Sequence, residues 1–225
     1  MSPEFASLLS QNIGVSFAKQ IAFADLIGER NWGVSMSEGV ATFGTDLSFP
    51  IQLLGTEADG DASWLWAWAN EQSNLPPNLL KACNECYDLG STQQVPEFTD
   101  RSFSQNIADG HMIALVASGL HPNCCYYRGP YDGGALFFLV CDVPRDVVGP
   151  VAPERAVTVM TEVISQFEIN HRDMADSFLR SQGFTLQPAG NRLDARRDKD
   201  SLTVTFDSMQ RINKIDCTLN SAEAT

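Results

Sequence analysis

The sequence predicts an α+β protein in which antiparallel β-meanders pack against helices. Three observations point there. Apolar residues recur every four positions near the start, the signature of a helix face. From Trp32 onward short alternating segments separated by tight turns take over, which favours an antiparallel meander. The same order of helix and four-strand meander recurs after residue 150, which suggests two similar halves. The chain has 225 residues, 44% of them apolar and 19% charged. That is ordinary globular composition, and enough chain to bury a core without disulfide staples.

Ser2, Pro3 and Glu4 open the first helix with a hydroxyl cap, a first-turn proline and an acid at the positive dipole end. Phe5, Leu9, Ile13, Phe17 and Ile21 then make an amphipathic helix of about five turns. Strands are expected over 32–36, 39–43, 47–54 and 63–69, with Pro50 marking an edge or bulge. Glu57, Asp59 and Asp61 read as a solvated turn, since Asp-Gly accepts positive φ. A helix begins at Pro76 and Pro77, runs to about Tyr87 and is closed by Gly90. A loop over 91–105 precedes a mostly buried helix over 107–120. Segments 124–127 and 134–141 form a hairpin around a turn running from Arg128 to Gly134.

The proline-containing stretch 144–153 is the candidate boundary. It divides the chain into 1–150 and 151–225, unless the whole is one continuous domain. Beyond it Ala156, Val157, Met160, Val163, Ile164 and Phe167 form one helical stripe. Asn170 caps a further helix carrying Met174, Phe178 and Leu179, which stops at Gly183. Four short strands follow, near 184–187, 192–196, 201–206 and 212–219, so the second meander spans 184–220.

The formal net charge is −13. Residues 1–150 hold 17 acids against 6 bases, and residues 38–109 hold 11 against 2. Such a surface repels phosphate backbones and anionic membranes, so nucleic acid and membrane are not expected partners. A basic protein is. The start lacks a basic region followed by an apolar one. The longest apolar run, 135–141, falls far short of the ~20 residues that span a bilayer. A cytosolic protein is expected, and in that reducing compartment the six cysteines stand as thiols.

The most distinctive segment is Trp64, Leu65, Trp66, Ala67, Trp68, Ala69, Asn70. In a strand the three indoles share one face. Either they form a core face beneath the first helix, or they floor a ligand pocket or partner surface. Asn70 ends the strand, as a cap or as a binding group. Arg128, Gly129, Tyr131 and their glycine neighbours read as an ordinary hairpin turn, or as a recognition loop in which glycine lets a partner approach the backbone. Cys83 and Cys86 spell a C-x-x-C, yet on a helix they share the stripe of Leu79, Leu80 and Tyr87 and so read as core thiols. A zinc site would need a second pair, and only His121 with Cys124 and Cys125 stands nearby in sequence. His111, His121 and His171 have no partner at metal or triad spacing, and no phosphate-binding or nucleophile motif occurs. No cofactor or metal is expected.

Leu53-Leu54-Gly55-Thr56 followed by Trp64 to Asn70 resembles a bacterial family of unknown function whose members share a Leu-Gly-Thr … Trp-x-Trp-Ala-Asn signature. The resemblance implies a bacterial, cytosolic, self-contained domain and brings no activity with it. The residues themselves favour a non-catalytic interaction module with an acidic surface; one concrete form is an immunity-type inhibitor that covers a basic toxin. The rival is a small-molecule binder or enzyme with a pocket floored by Trp64, Trp66 and Trp68 and edged by Arg128 and Tyr131.

Overall fold

The computed structural model describes residues 1–219 and bears out the α+β class with two antiparallel sheets, one of seven strands and one of four. Helix α1 (Pro3–Ile27) starts where the sequence places it. The Ser2 hydroxyl accepts from the Phe5 N–H at 3.1 Å, and Gly28 ends the helix at φ 53°. The expected one-sided stripe is only half of its burial. Gly14, Ser16, Ala18 and Lys19 are buried as well as Phe5, Leu9 and Ile13, because α1 is packed on two sides. A Cβ on Gly14 would come within 2.7 Å of Phe178 in α7 (His171–Ser181). A Cβ on Gly119 in α4 (Gly110–Leu120) would meet Asn12 of α1 at 2.5 Å.

The first sheet is larger than a four-strand meander. Strands β1 (Trp32–Ser35), β2 (Val40–Phe43), β3 (Leu47–Ala58) and β4 (Ser63–Trp66) pair in chain order. A short β5 (Ser102–Ser104) then adds to β4, inside the stretch expected to be loop. The hairpin of β6 (Cys124–Tyr131) and β7 (Gly134–Cys141) docks on β3 through β7. The two halves therefore differ: the first meander is extended on both sides, whereas β8 (Thr185–Ala189), β9 (Arg192–Arg197), β10 (Asp200–Phe206) and β11 (Ile212–Thr218) make a plain four-strand sheet. Asn220, where that second meander was expected to end, lies outside the described residues.

β3 is four residues longer than its sequence pattern suggested, because it serves three partners. Its first part pairs with β2, its last part with β4, and residues 51–58 with β7. Pro50 pairs with Val40 before the β7 ladder begins, so its missing N–H costs no bond on that side. The irregularity falls later, between Leu53 and Gly55. A bulge twists a strand and ends pairing, and the β4 ladder indeed begins only at Gly55.

The intervening segments differ locally from expectation. α2 (Lys81–Gln93) runs through Gly90 and ends on Gln94 at φ 58°, since Gly90 is held against the Phe98 side chain rather than used as a cap. α3 (Pro96–Thr99) and α5 (Arg145–Val148) are single turns in stretches expected to be irregular. α6 (Pro153–Gln166) and α7 follow the sequence closely, with the Asn170 side chain accepting from Arg172 and Asp173 N–H groups.

Candidate functional site

The seven-stranded sheet has two chemically different faces, and β4 shows both. Trp66 pairs with Gly55, Leu65 with Thr56 and Trp64 with Glu57. One face carries Trp64, Trp66 and Glu57; the other carries Leu65 and Thr56.

The tryptophan face is core. Trp64 and Trp66 have no exposed surface. Their rings meet edge-on at 5.5 Å, Trp64 lies 5.6 Å from Phe137, and Trp66 lies 5.7 Å from Phe98. Phe98 in turn packs on Phe5 of α1. The Trp66 indole N–H donates to the Glu97 carbonyl at 2.9 Å. Trp68 does not join them. With the ladder to β3 finished, the chain turns into a 3₁₀ turn at Ala67–Ala69, and Trp68 lies half-buried against Tyr87 at 4.8 Å. The three indoles are therefore not the open floor of a pocket. Two are core and the third seals α2.

The cleft lies on the reverse of that strand. Thr56 pairs with both Leu65 and Leu136, and these three form a continuous floor across β4, β3 and β7. Met36 and Leu75 wall it, and Asn70, Ser73 and Tyr131 supply its polar edge. Its volume is about 360 Å³. Asn70 caps a second 3₁₀ turn, Glu71–Ser73, its side-chain oxygen accepting from the Ser73 N–H at 3.2 Å. The rest of this sheet face is closed by β1 and β2 folding back over it. Trp32 lies 5.7 Å from Tyr127 and 6.4 Å from Phe138, and Phe43 lies 5.0 Å from Tyr127. The cleft opens where that cover stops, at Met36 just after β1.

Most of the stretch read as a hairpin turn or a recognition loop is strand. β6 continues through Arg128 and Gly129 to Tyr131, leaving Asp132 and Gly133 as a two-residue turn. Gly129 permits a close approach, but by this chain's own Trp32, whose ring would lie 2.4 Å from a Cβ there. Three positions apart on a strand, Arg128 and Tyr131 point to opposite faces. Tyr131 is half-exposed at the cleft; Arg128 lies over Phe137 at 6.0 Å on the other face, with Nε 3.7 Å from Glu57 Oε2. Of the six residues singled out in the sequence, the structure brings Asn70 and Tyr131 together at the cleft. It places Trp64 and Trp66 in the core, Trp68 beside α2 and Arg128 on the tryptophan face. Leu65 and Leu136 went unnoticed. Their signal was present in the alternation itself, which makes Leu65 the reverse of the tryptophan face.

Glu57 is a further correction. It is buried in β3 rather than solvated in a turn, and Oε1 accepts from the Gly110 N–H at 2.7 Å. A carboxylate at the first turn of α4 meets the positive end of the helix dipole, so Glu57 anchors α4 to the sheet. At the other end of α4, the Lys19 ammonium donates to the carbonyls of Ser118, His121 and Cys124 at 2.7, 3.0 and 3.0 Å. Burial lowers this lysine to about 8, while the charges of Cys124 and Cys125 act to raise it. His111 Nδ1 lies 3.0 Å from the Tyr126 hydroxyl, whose titration burial pushes up, with Asp109 adding to the effect. His121 bridges the Ala117 carbonyl and Glu85. Cys83 and Cys86 lie buried on α2; burial raises both thiols, Cys83 to about 12. Among the described residues no three His, Cys, Asp or Glu side chains are grouped to hold a metal ion.

Fold and cleft together define an α+β protein with a folded-over antiparallel sheet, one sheet face packed with indoles beneath the helices and an apolar cleft on the opposite face. The chain belongs to a family of unknown function, DUF6882, whose model matches residues 6–143. That span holds α1 but for its first three residues, the whole seven-stranded sheet and the cleft, and ends just after β7. No curated protein and no solved structure matches the chain. Among the described residues no helix is long and apolar enough to cross a membrane.

Proposed function

We propose that this chain is a non-catalytic binding module of the bacterial cytosol whose cleft receives an apolar side chain from a basic protein partner. The observation that carries the reading is the floor of Thr56, Leu65 and Leu136, edged by Tyr131 next to two acid-bearing turns. The β3–β4 and β6–β7 turns abut, the Asp59 N–H donating to the Gly133 carbonyl at 3.0 Å. This sets the exposed residues Asp59, Asp61 and Asp132 next to Tyr131. A small, mostly apolar pocket with an acidic pair of turns next to its Tyr131 edge suits a Leu, Met or Phe flanked by Lys or Arg. An immunity-type inhibitor of a basic toxin is one form of such a module. The Leu-Gly-Thr … Trp-x-Trp-Ala-Asn signature belongs to the same reading; its glycine, Gly55, leaves room for the neighbouring Trp64, since a Cβ there would lie 2.5 Å from Trp64 Cζ2.

The test is titration with Lys- and Arg-rich peptides, each carrying one Leu, Met or Phe. Binding that weakens as salt rises and is lost in Leu65→Asp supports the reading. Affinity indifferent to salt and to Leu65→Asp overturns it. The cleft volume also falls within the ~300–1,000 Å³ of ligand pockets. A neutral apolar molecule that raises the melting temperature of the wild type, but not of Leu65→Asp, would favour a small-molecule binder instead.

A further inference from the structure

At the end of the β6–β7 hairpin remote from the cleft, Cys124 stands directly opposite Cys141 in the antiparallel register, with the two sulfurs 2.7 Å apart. Directly opposed residues have Cα atoms about 4.5 or 5.5 Å apart, and both spacings lie inside the ~4.4–6.8 Å that a disulfide bridges. The neighbouring Cys125 points to the other face, towards the Val140 carbonyl, and is fully buried. Cys141 is partly exposed, so a small oxidant reaches the pair from its side. Lys19 lies beneath, its ammonium bonded to the Cys124 carbonyl.

We infer that Cys124 and Cys141 are a redox site that hydrogen peroxide closes to a disulfide and a thiol reductant reopens. In the first step the Cys124 thiolate attacks one peroxide oxygen. The O–O bond breaks, Cys124 becomes a sulfenic acid, and the departing hydroxide takes a proton to leave as water. In the second step the Cys141 sulfur attacks the sulfenic sulfur. The S–O bond breaks, the S–S bond forms, and the hydroxyl leaves as a second water with the Cys141 proton. Two thiols are oxidised by two electrons and one peroxide is reduced to two waters. Two thiols of the reductant reverse the change and become its disulfide. Cys124 is the attacking sulfur. Its close contact with Cys141 first, and the Lys19 charge, favour its thiolate against the opposing cost of burial, while the same contact and burial push Cys141 up. Cys83, Cys86 and Cys125 are raised by burial and are poor thiolates.

The experiment treats the reduced full chain with equimolar hydrogen peroxide, alkylates it, and maps its tryptic peptides without reduction. Arg128 separates the two cysteines, so the bridge joins two peptides. A Cys125→Ala background distinguishes Cys124 from its neighbour, and Cys217→Ser removes the exposed thiol. The expected result is a Cys124–Cys141 bridge formed ahead of every other oxidation, with the loss of two hydrogen atoms, and its reversal by dithiothreitol. In Cys141→Ser the sulfenic acid persists on Cys124 and is trapped by dimedone. Bridging elsewhere first, or Cys124 and Cys141 still alkylatable when other thiols have oxidised, overturns the inference. So does a Cys141→Ser protein in which peroxide leaves Cys124 unmodified.

Discussion

Gly55 shows how one residue settles what both faces of the sheet do. Its absent side chain lets Trp64 lie against β3, and the neighbouring Leu65 carbonyl would be 2.5 Å from any Cβ. A backbone carbonyl has little freedom to move, so Gly55→Ala should cost about 2 kcal/mol or more, seen in urea melts. Trp66 offers a second test. Its N–H donates to the Glu97 carbonyl, whereas the Trp64 Nε1 is buried without a partner among the described residues. Trp66→Phe should therefore lose about 1 kcal/mol more than Trp64→Phe, since only the former leaves a buried acceptor unpaired. Lys19→Met removes a charge-assisted donor from three carbonyls at the end of α4, each of which keeps one other donor, and should cost about 1–3 kcal/mol. At this scale the sequence disclosed the aromatic alternation but not its direction. The face that Trp64 and Trp66 take is decided by α1 and α4, which lie far away along the chain. The charge of Glu57 suggested solvent for the same reason, because its partner, the Gly110 N–H, is 53 residues on.

Elements governed by local chemistry were legible. The Ser2 and Asn170 caps, the α6 and α7 stripes and the last four strands follow from nearest neighbours alone. The elements that were misread have distant causes. β3 lengthens because β7 pairs with it, and β4 shortens because the bulge at Leu54 ends its ladder. α1 is buried on two sides because α7 crosses it at Gly14. That crossing is testable by a double-mutant cycle. Gly14→Ala alone should destabilise by about 1–3 kcal/mol through the clash with Phe178. In a Phe178→Ala background the same change should cost much less, a non-additivity expected of residues in contact. Equal costs in both backgrounds would remove the close crossing from the account.

Over the whole molecule, charge and buried thiols set the response to pH. Cys83, Cys86 and Cys125 titrate above their ordinary value of 9.0 in the folded chain because of burial. Above pH 9 the unfolded chain gives up thiol protons that the fold retains, so stability falls, by up to about 1.4 kcal/mol per pH unit for each thiol. Lys19 acts oppositely. It loses its proton near 8 in the fold and near 10.5 unfolded, so its contribution rises with pH between those values. The three thiols outweigh it, and urea melts under reducing conditions should show a net fall from about pH 9 to 11, made shallower by Cys83→Ala. The acidity is the whole-molecule property most easily read in the sequence, although two of the acids counted there, Glu57 and Glu97, are buried and contribute no surface charge. What the sequence did not disclose was that two acid-bearing turns abut, the Asp59 N–H donating to the Gly133 carbonyl next to Asp132. Methyl NMR tests whether a basic partner enters the cleft beside these turns. On titration with a Lys-rich peptide carrying one leucine, shifts should concentrate at the methyl groups of Met36, Leu65, Leu75 and Leu136 and fade as salt is raised. Shifts centred on the helices, or at the cleft but unchanged by salt, would contradict the proposed binding.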